Sequence, residues 1–115
     1  MKMKRIEVIV NPDRVSVVLA ALTKAGYSGV MITEIEGHGK QKGLTQQWRG
    51  ETYKMDLLQK VKLETVVRDA DVDELVSTIT KGVRTGEIGD GKIFISPVDD
   101  AVRIRTGERG DSAIK

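Results

Sequence analysis

No cysteine occurs in the 115 residues, which removes thiol nucleophiles, disulfide scaffolds and Cys-ligated zinc or iron–sulfur centres together. That composition suits a reducing cytosolic setting. A single histidine, His38, cannot assemble a His-based metal site. Aromatic residues make up 3% of the chain, and Tyr27, Trp48, Tyr53 and Phe94 are the whole set, too few for the stacking platform of a single-strand RNA module. Nor is there an apolar run near the roughly 20 residues that a membrane-spanning helix needs. Charge is close to balance, with 19 Lys+Arg against 17 Asp+Glu and a net +2, and no basic block tracks a phosphate backbone. Met1 to Arg5 leads directly into an alternating segment rather than a signal-peptide core, so a soluble, cytoplasmic protein without nucleic acid is expected.

A chain of this length is one domain, 1–115, and buries roughly two thirds of the surface its unfolded form exposes. Lys4 to Asn11 sets Ile6, Val8 and Val10 on one face and Arg5, Glu7 and Ile9 on the other, the pattern of a strand. Asn11-Pro12-Asp13 then makes a turn, and Val15, Val18, Leu19 and Leu22 recur at helical steps up to Gly26. Gly29 to Glu36 reads as a strand. From Gly37 to about Leu57 no hydrophobic period holds, and a stretch this long inside a small domain points to a functional loop. Val61, Leu63, Thr65 and Val67 predict a strand, Asp71 to Arg84 a second amphipathic helix, and Lys92 to Pro97 a further strand. A short basic strand over Ala101 to Thr106 and a polar tail over about 107–115 complete the chain. The order βαββαβ is the ferredoxin-like α+β arrangement. Helices cover one face of such a sheet; Ile9 and Val66 on the other face make oligomerisation the economical way to cover it.

The residues that bear chemistry are glycines and cations. Gly37-His38-Gly39-Lys40-Gln41-Lys42-Gly43 interleaves flexible backbone with compact positive charge, which suits an anion or simply a loop tip. Thr85-Gly86-Glu87-Ile88-Gly89-Asp90-Gly91-Lys92 is a second glycine-dense turn, richer than a helix C-cap and strand entry require. Arg103 and Arg105 share a face of the expected last strand, in a spacing that matches phosphate or a solvated edge. Lys60, Lys62 and Glu64 share another. Without a Ser-His-Asp set, a paired acidic dyad or a metal cluster, these features favour binding anions over breaking bonds.

Taken in order, these blocks resemble the PII signal-transduction proteins of nitrogen regulation along nearly the full chain. The likeness is carried by Gly37 to Gly43, Arg49-Gly50 with Tyr53, Lys60-Val61-Lys62-Leu63-Glu64, Thr85 to Ile95, and Arg103-Ile104-Arg105-Thr106-Gly107-Glu108. The string Thr-Gly-x-x-Gly-Asp-Gly-Lys-Ile-Phe is the most specific part. The resemblance implies a ferredoxin-like homotrimer with ATP or ADP in the clefts between subunits and a long flexible T-loop at about 37–57. It also implies that Mg2+ and 2-oxoglutarate join ATP at the base of that loop. By position, Ile9, Gly37, His38, Gly39, Lys40, Gln41, Glu64, Gly89, Asp90, Gly91, Lys92, Arg103 and Arg105 would form the nucleotide site. Gln41 would hold Mg2+, and Gln41, Lys42, Gly43 and Lys60 would take 2-oxoglutarate. Arg49 matches an arginine that relatives insert into an ammonium transporter, and Tyr53 a site of nucleotidylylation. The tip departs from the family at Trp48, usually Tyr, and at Glu51-Thr52; His38 and Lys40 also differ from the commoner residues.

The implied partners are an ammonium transporter, glutamine synthetase or another target of nitrogen metabolism, with membrane contact only through the transporter. The competing readings are a PII-like sensor of another effector, such as one tied to bicarbonate, and a weak ATP-hydrolysing enzyme using Asp90 or Glu64 as base. Gln41-Lys42-Gly43 with Lys60 favours 2-oxoglutarate over the first, and the absence of a dedicated catalytic set disfavours the second.

Overall fold

The structure, a computed structural model, describes residues 2–38, 45–48, 51–54 and 57–115, with side chains for 2–36 and 59–115. Strand β1 (Met3–Val10) alternates as its sequence requires, burying Ile6, Val8 and Val10 and leaving Arg5, Glu7 and Ile9 on the other face. Pro12 opens a single 3-10 turn, where its fixed φ is favourable and its missing N–H costs nothing, and α1 (Val15–Lys24) follows. The chain then forms β2 (Met31–His38), β5 (Leu57–Arg68), α2 (Val72–Val83) and β6 (Lys92–Val98), with a separate two-stranded hairpin, β3 (Thr45–Trp48) and β4 (Glu51–Lys54), between β2 and β5. The main sheet is antiparallel in the order β2-β5-β1-β6. Each helix therefore crosses between strands separated by one other, the split βαβ of a ferredoxin-like α+β fold.

Both helices lie on one face, where Val18 and Leu22 of α1 and Leu75, Ile79 and Val83 of α2 meet Ile6, Val8, Val10, Val61, Leu63 and Val67 of the sheet. Asp73 and Glu74 in the first turn of α2 and Lys81 in its last turn complement the helix dipole. Asp71, at the N-cap, makes no side-chain capping bond. Its carboxylate instead accepts the Tyr27 hydroxyl and, at 3.3 Å, Arg68 Nε. Tyr27 Oη in turn accepts the Arg68 backbone N–H at 3.0 Å, so the buried phenol is satisfied and pins the end of β5 to the connection between α1 and β2.

Two expectations are corrected. Ala101–Thr106 is not a strand: only Val102 bridges Arg109, and the chain folds back through Arg103 N–H to Glu108 O at 2.8 Å and Gly107 N–H to Arg103 O at 2.7 Å. Thr106 Oγ1 accepts the Glu108 N–H, and Gly107 sits at φ 75°, so local turn chemistry overrides the alternation. Arg103 and Arg105 consequently do not share a strand face. The final segment is also more than a polar tail. Asp111–Ile114 forms α3, Gly110 is buried, and Lys115 Nζ reaches Asp71 at 3.6 Å and lies 4.9 Å from the centre of the Tyr27 ring. Within the expected loop, the structure adds the β3–β4 hairpin and extends β2 and β5 to the pair His38↔Leu57.

The other sheet face carries Ile35, Lys62, Val66 and the half-exposed Phe94, with Glu7 directly opposite Glu64. At one end of the sheet the backbones of β1 and β6 come very close: a Cβ on Gly91 would stand 1.9 Å from Ile9 O, and Gly91 has φ 114°. Replacement of Gly91 by alanine is therefore expected to destabilise the fold by about 2–4 kcal/mol, combining backbone strain with overpacking. Gly107→Ala, with positive φ but open space around its Cβ, isolates the strain alone. Urea unfolding of both variants checks this, and equal losses would contradict the close-approach account.

Candidate functional site

The register of β1 brings three distant segments together at one end of the sheet. Val10 pairs with Val61 and Ile9 with Lys92, so the residues just beyond β1, the first glycine-rich part of the 86–91 turn and Lys60 of β5 converge. Lys60 is buried. Its ammonium donates to Asn11 Oδ1 at 2.7 Å and to the Gly89 carbonyl, while Asn11 Nδ2 donates to that same carbonyl at 3.2 Å. Burial holds the Lys60 pKa below the ordinary lysine value, against the opposing pull of Asp90 and Asp13. Lys60 also lines a pocket of about 330 Å³ with Pro12, Glu34, Ile35, Glu36, Gln59 and Val61. The pocket sits where β2 and β5 leave the sheet core toward the hairpin.

The glycine turn is built by Asp90 from within. Its carboxylate accepts the N–H groups of Thr85 at 2.9 Å and Gly86 at 3.0 Å as well as the Thr85 hydroxyl, and Thr85 Oγ1 accepts the Glu87 N–H at 3.1 Å. Gly86, Gly89 and Gly91 all have positive φ, which lets the chain turn tightly with little side-chain bulk. The amides of Ile88 and Gly89 form no hydrogen bond to another described residue. Asp90 therefore shapes the turn rather than offering its carboxylate outward, which is what an anion cradle needs. Lys92 stands exposed at the exit of the turn, beside Ile9.

Arg103 and Arg105 lie elsewhere. β6 runs from Lys92, next to Ile9, to Val98, next to Met3, a span of about 20 Å at the usual strand rise. The turn carrying both arginines follows that far end, where Gly110 N–H bonds Ala101 O and Lys115 reaches Tyr27. Arg103 is paired with Glu108 at 2.7 Å, leaving further guanidinium donors for another acceptor. Glu64 lies between the two ends, mid-strand on the open face. Thus Ile9, Lys60, Gly89, Asp90, Gly91 and Lys92 gather in one place, and Arg103 and Arg105 in another. Gly39, Lys40, Gln41, Lys42, Gly43 and Arg49 lie outside the described residues; Gly37, His38 and Tyr53 are described by their backbones alone. Asn11 was read from sequence only as a turn residue, and nothing in its local pattern announces a partner 49 residues away.

The sequence model for the nitrogen regulatory protein P-II family matches residues 3–108. Nitrogen regulatory protein P-II 2 of Methanothermobacter thermautotrophicus is 53% identical over 112 residues, 97% of each chain. The nitrogen regulatory protein P-II of Synechocystis sp. is 50% identical over 112 residues, 97% of this chain and 100% of that protein. Among solved structures, Arabidopsis thaliana PII bound to citrate superposes with a TM-score of 0.77 at 42% identity, covering 97% of this chain and 92% of that one.

The geometry sets a pH dependence. Hydrogen bonds from the Thr85 side chain, then from backbone amides, hold the Asp90 pKa below its ordinary 3.8. Its contribution to stability is present above that ordinary value and is lost as pH falls through the lower folded value. Thermal melts between pH 6 and pH 2 are expected to show a shallower acid loss for Asp90→Asn than for the parent chain; parallel curves would refute the role given to this carboxylate.

Proposed function

This chain belongs to the nitrogen regulatory protein P-II family, and on that premise we propose that it reports energy and nitrogen status by binding ATP or ADP and, together with Mg-ATP, 2-oxoglutarate. Members of the family are regulatory proteins rather than enzymes. The observation that carries the reading is the separation of the two cationic groups by the length of β6. One polyphosphate cannot touch the glycine turn and both arginines of the same chain, but it can bridge the glycine turn of one copy and the arginine turn of the next. A trimer closed through the open sheet faces, with Phe94 and Val66 covered, supplies such clefts.

In this reading Gly89, Gly91 and Lys92 hold phosphates, Asp90 keeps their turn in shape, and Ile9 and Glu64 line the cleft with Gly37, His38, Gly39, Lys40 and Gln41. Arg103 and Arg105 reach in from the neighbouring copy and neutralise the phosphates. Lys60 takes a carboxylate of 2-oxoglutarate, with Gln41, Lys42 and Gly43 completing that subsite. Its burial and its position at the loop root support the assignment. The citrate bound to the Arabidopsis relative supports a polycarboxylate ligand class. Mg2+, which prefers oxygen donors, would be held by Gln41 with ligand oxygens.

Effector binding selects among shapes of the 37–57 loop, and only a difference in affinity between those shapes shifts the equilibrium. The loop would then engage an ammonium transporter through Arg49, or glutamine synthetase or another nitrogen-metabolism target, with Tyr53 open to modification. Among the described residues no helix is long and apolar enough to cross a membrane. The proposed setting is the cytoplasm, with a transporter as the sole membrane contact.

Calorimetric titration of 2-oxoglutarate is expected to give binding only when Mg-ATP is present, and at least about ten-fold weaker binding for Lys60→Ala, the scale of a lost hydrogen bond to a charged group. Binding that ignores both nucleotide and Lys60 would overturn the assignment. Two defective chains also test the shared cleft. Arg103→Ala/Arg105→Ala chains and Lys92→Ala chains should each bind ATP poorly, while co-refolded mixtures regain a fraction of intact sites; no regain would place the whole site within one chain.

A further inference from the structure

We infer that Asn11 is a positioning residue of the anion site: its carboxamide fixes the Lys60 ammonium and the Gly89 carbonyl relative to each other, so that the dicarboxylate lysine and the phosphate turn respond as one unit. This inference rests on the ligand assignment proposed above. Its geometric basis is a closed triangle of contacts among segments 29, 49 and 78 residues apart. Asn11 Oδ1 accepts from Lys60 Nζ at 2.7 Å, Asn11 Nδ2 donates to Gly89 O at 3.2 Å, and Gly89 O accepts from Lys60 as well.

A carboxamide is suited to this place because it carries an acceptor and donors on one short stem. Aspartate would accept from Lys60 but repel the Gly89 carbonyl, and alanine would do neither. The stem itself is fixed. Pro12 holds Asn11 in extended backbone, at φ −66° and ψ 150°, and the Arg14 N–H bonds Asn11 O at 2.9 Å.

The consequence is electrostatic. Lys60 is desolvated yet held by two neutral acceptors, so its positive charge is not cancelled by an ion pair among the described residues. The charged groups around it are Asp13 on the turn after β1, Asp90 on the glycine turn, Glu34 and Glu36 across the pocket on β2, and Lys62 on its own strand. A cation kept in place by neutral dipoles remains available to an incoming carboxylate, whereas one paired with a carboxylate does not. The ligand then adds charge compensation to an ammonium already tied to Gly89, and any shift of the lysine is transmitted to the turn that holds phosphate.

The test is a titration of Lys60 in the full chain by NMR of its Cε and Nζ, comparing the parent with Asn11→Asp and Asn11→Ala, alongside 2-oxoglutarate binding in Mg-ATP. The inference expects Asn11→Asp to raise the Lys60 pKa and Asn11→Ala to lower it, with the Gly89 amide resonance displaced in both. It also expects Asn11→Asp to weaken 2-oxoglutarate by about ten-fold or more while thermal melts confirm folding. Identical Lys60 titration in all three chains would overturn it, whatever the ligand result. Lys60 shifts in the expected directions, with no 2-oxoglutarate bound by the parent chain, would uphold the positioning role and remove the dicarboxylate assignment instead.

Discussion

The antiparallel pairing of β1 with both β5 and β6 is the constraint on which the other features depend. One register, Val10 against Val61, places Asn11 beside Lys60; the other, Ile9 against Lys92, presses Gly91 onto the Ile9 backbone. The same two registers bury Ile6, Val8 and Val10 under the helices. Slipping either pairing by one residue would turn the core side of the strand to solvent, so burial of the apolar face enforces the geometry of the site. Core packing and the meeting of Asn11, Lys60 and the glycine turn are thus consequences of one alignment.

That alignment also separates charges. An antiparallel β6 must carry the chain away from the glycine turn, and the arginine turn is delivered to the opposite end of the sheet. Within one chain the two cationic groups are kept apart, which limits their mutual repulsion, and each holds its shape through local acceptors: Asp90 for the glycine turn and Glu108 for Arg103. A ligand that needs both groups must be met by more than one copy. Ligand binding and assembly are then linked, since any molecule that binds only the assembled form stabilises it by mass action.

Lys60 stands where the core part of β5 meets the segment that leads back to the β3–β4 hairpin. Desolvation disfavours its charge, and neutral acceptors together with nearby acids offset that cost without a direct ion pair among the described residues. Since β5 continues from Leu57 through Lys60 into the core strand Val61–Val67, a ligand of the class proposed above would act at this ammonium on backbone anchored in the core on one side and leading to the β3–β4 hairpin on the other.

Amphipathic period was sufficient for the two helices and for β1 and the core part of β5, because each buries one face and must repeat apolar residues every two or every three to four positions; β2 and β6, with no buried residue among those described, were read from their apolar content and the turns that flank them. The glycine turn was legible from its own residues, because three glycines and a lysine are more than a helix end and a strand entry require, whereas Lys60 was singled out through the family resemblance and not by its local pattern. The β3–β4 hairpin was not, since Thr45-Gln46-Gln47-Trp48 and Glu51-Thr52-Tyr53-Lys54 have no apolar alternation to report. The supposed strand at Ala101–Thr106 misled because its alternation was overridden by the Thr106-Gly107-Glu108 turn. Tertiary structure alone decided that Asn11 meets Lys60, that Asp90 faces inward, that Tyr27, Asp71 and Lys115 form one cluster, and that the arginines stand a strand length from the glycines. Local sequence encodes which faces are apolar and where the backbone can turn; which distant polar groups become neighbours depends on strand register, which exists only once the sheet has formed.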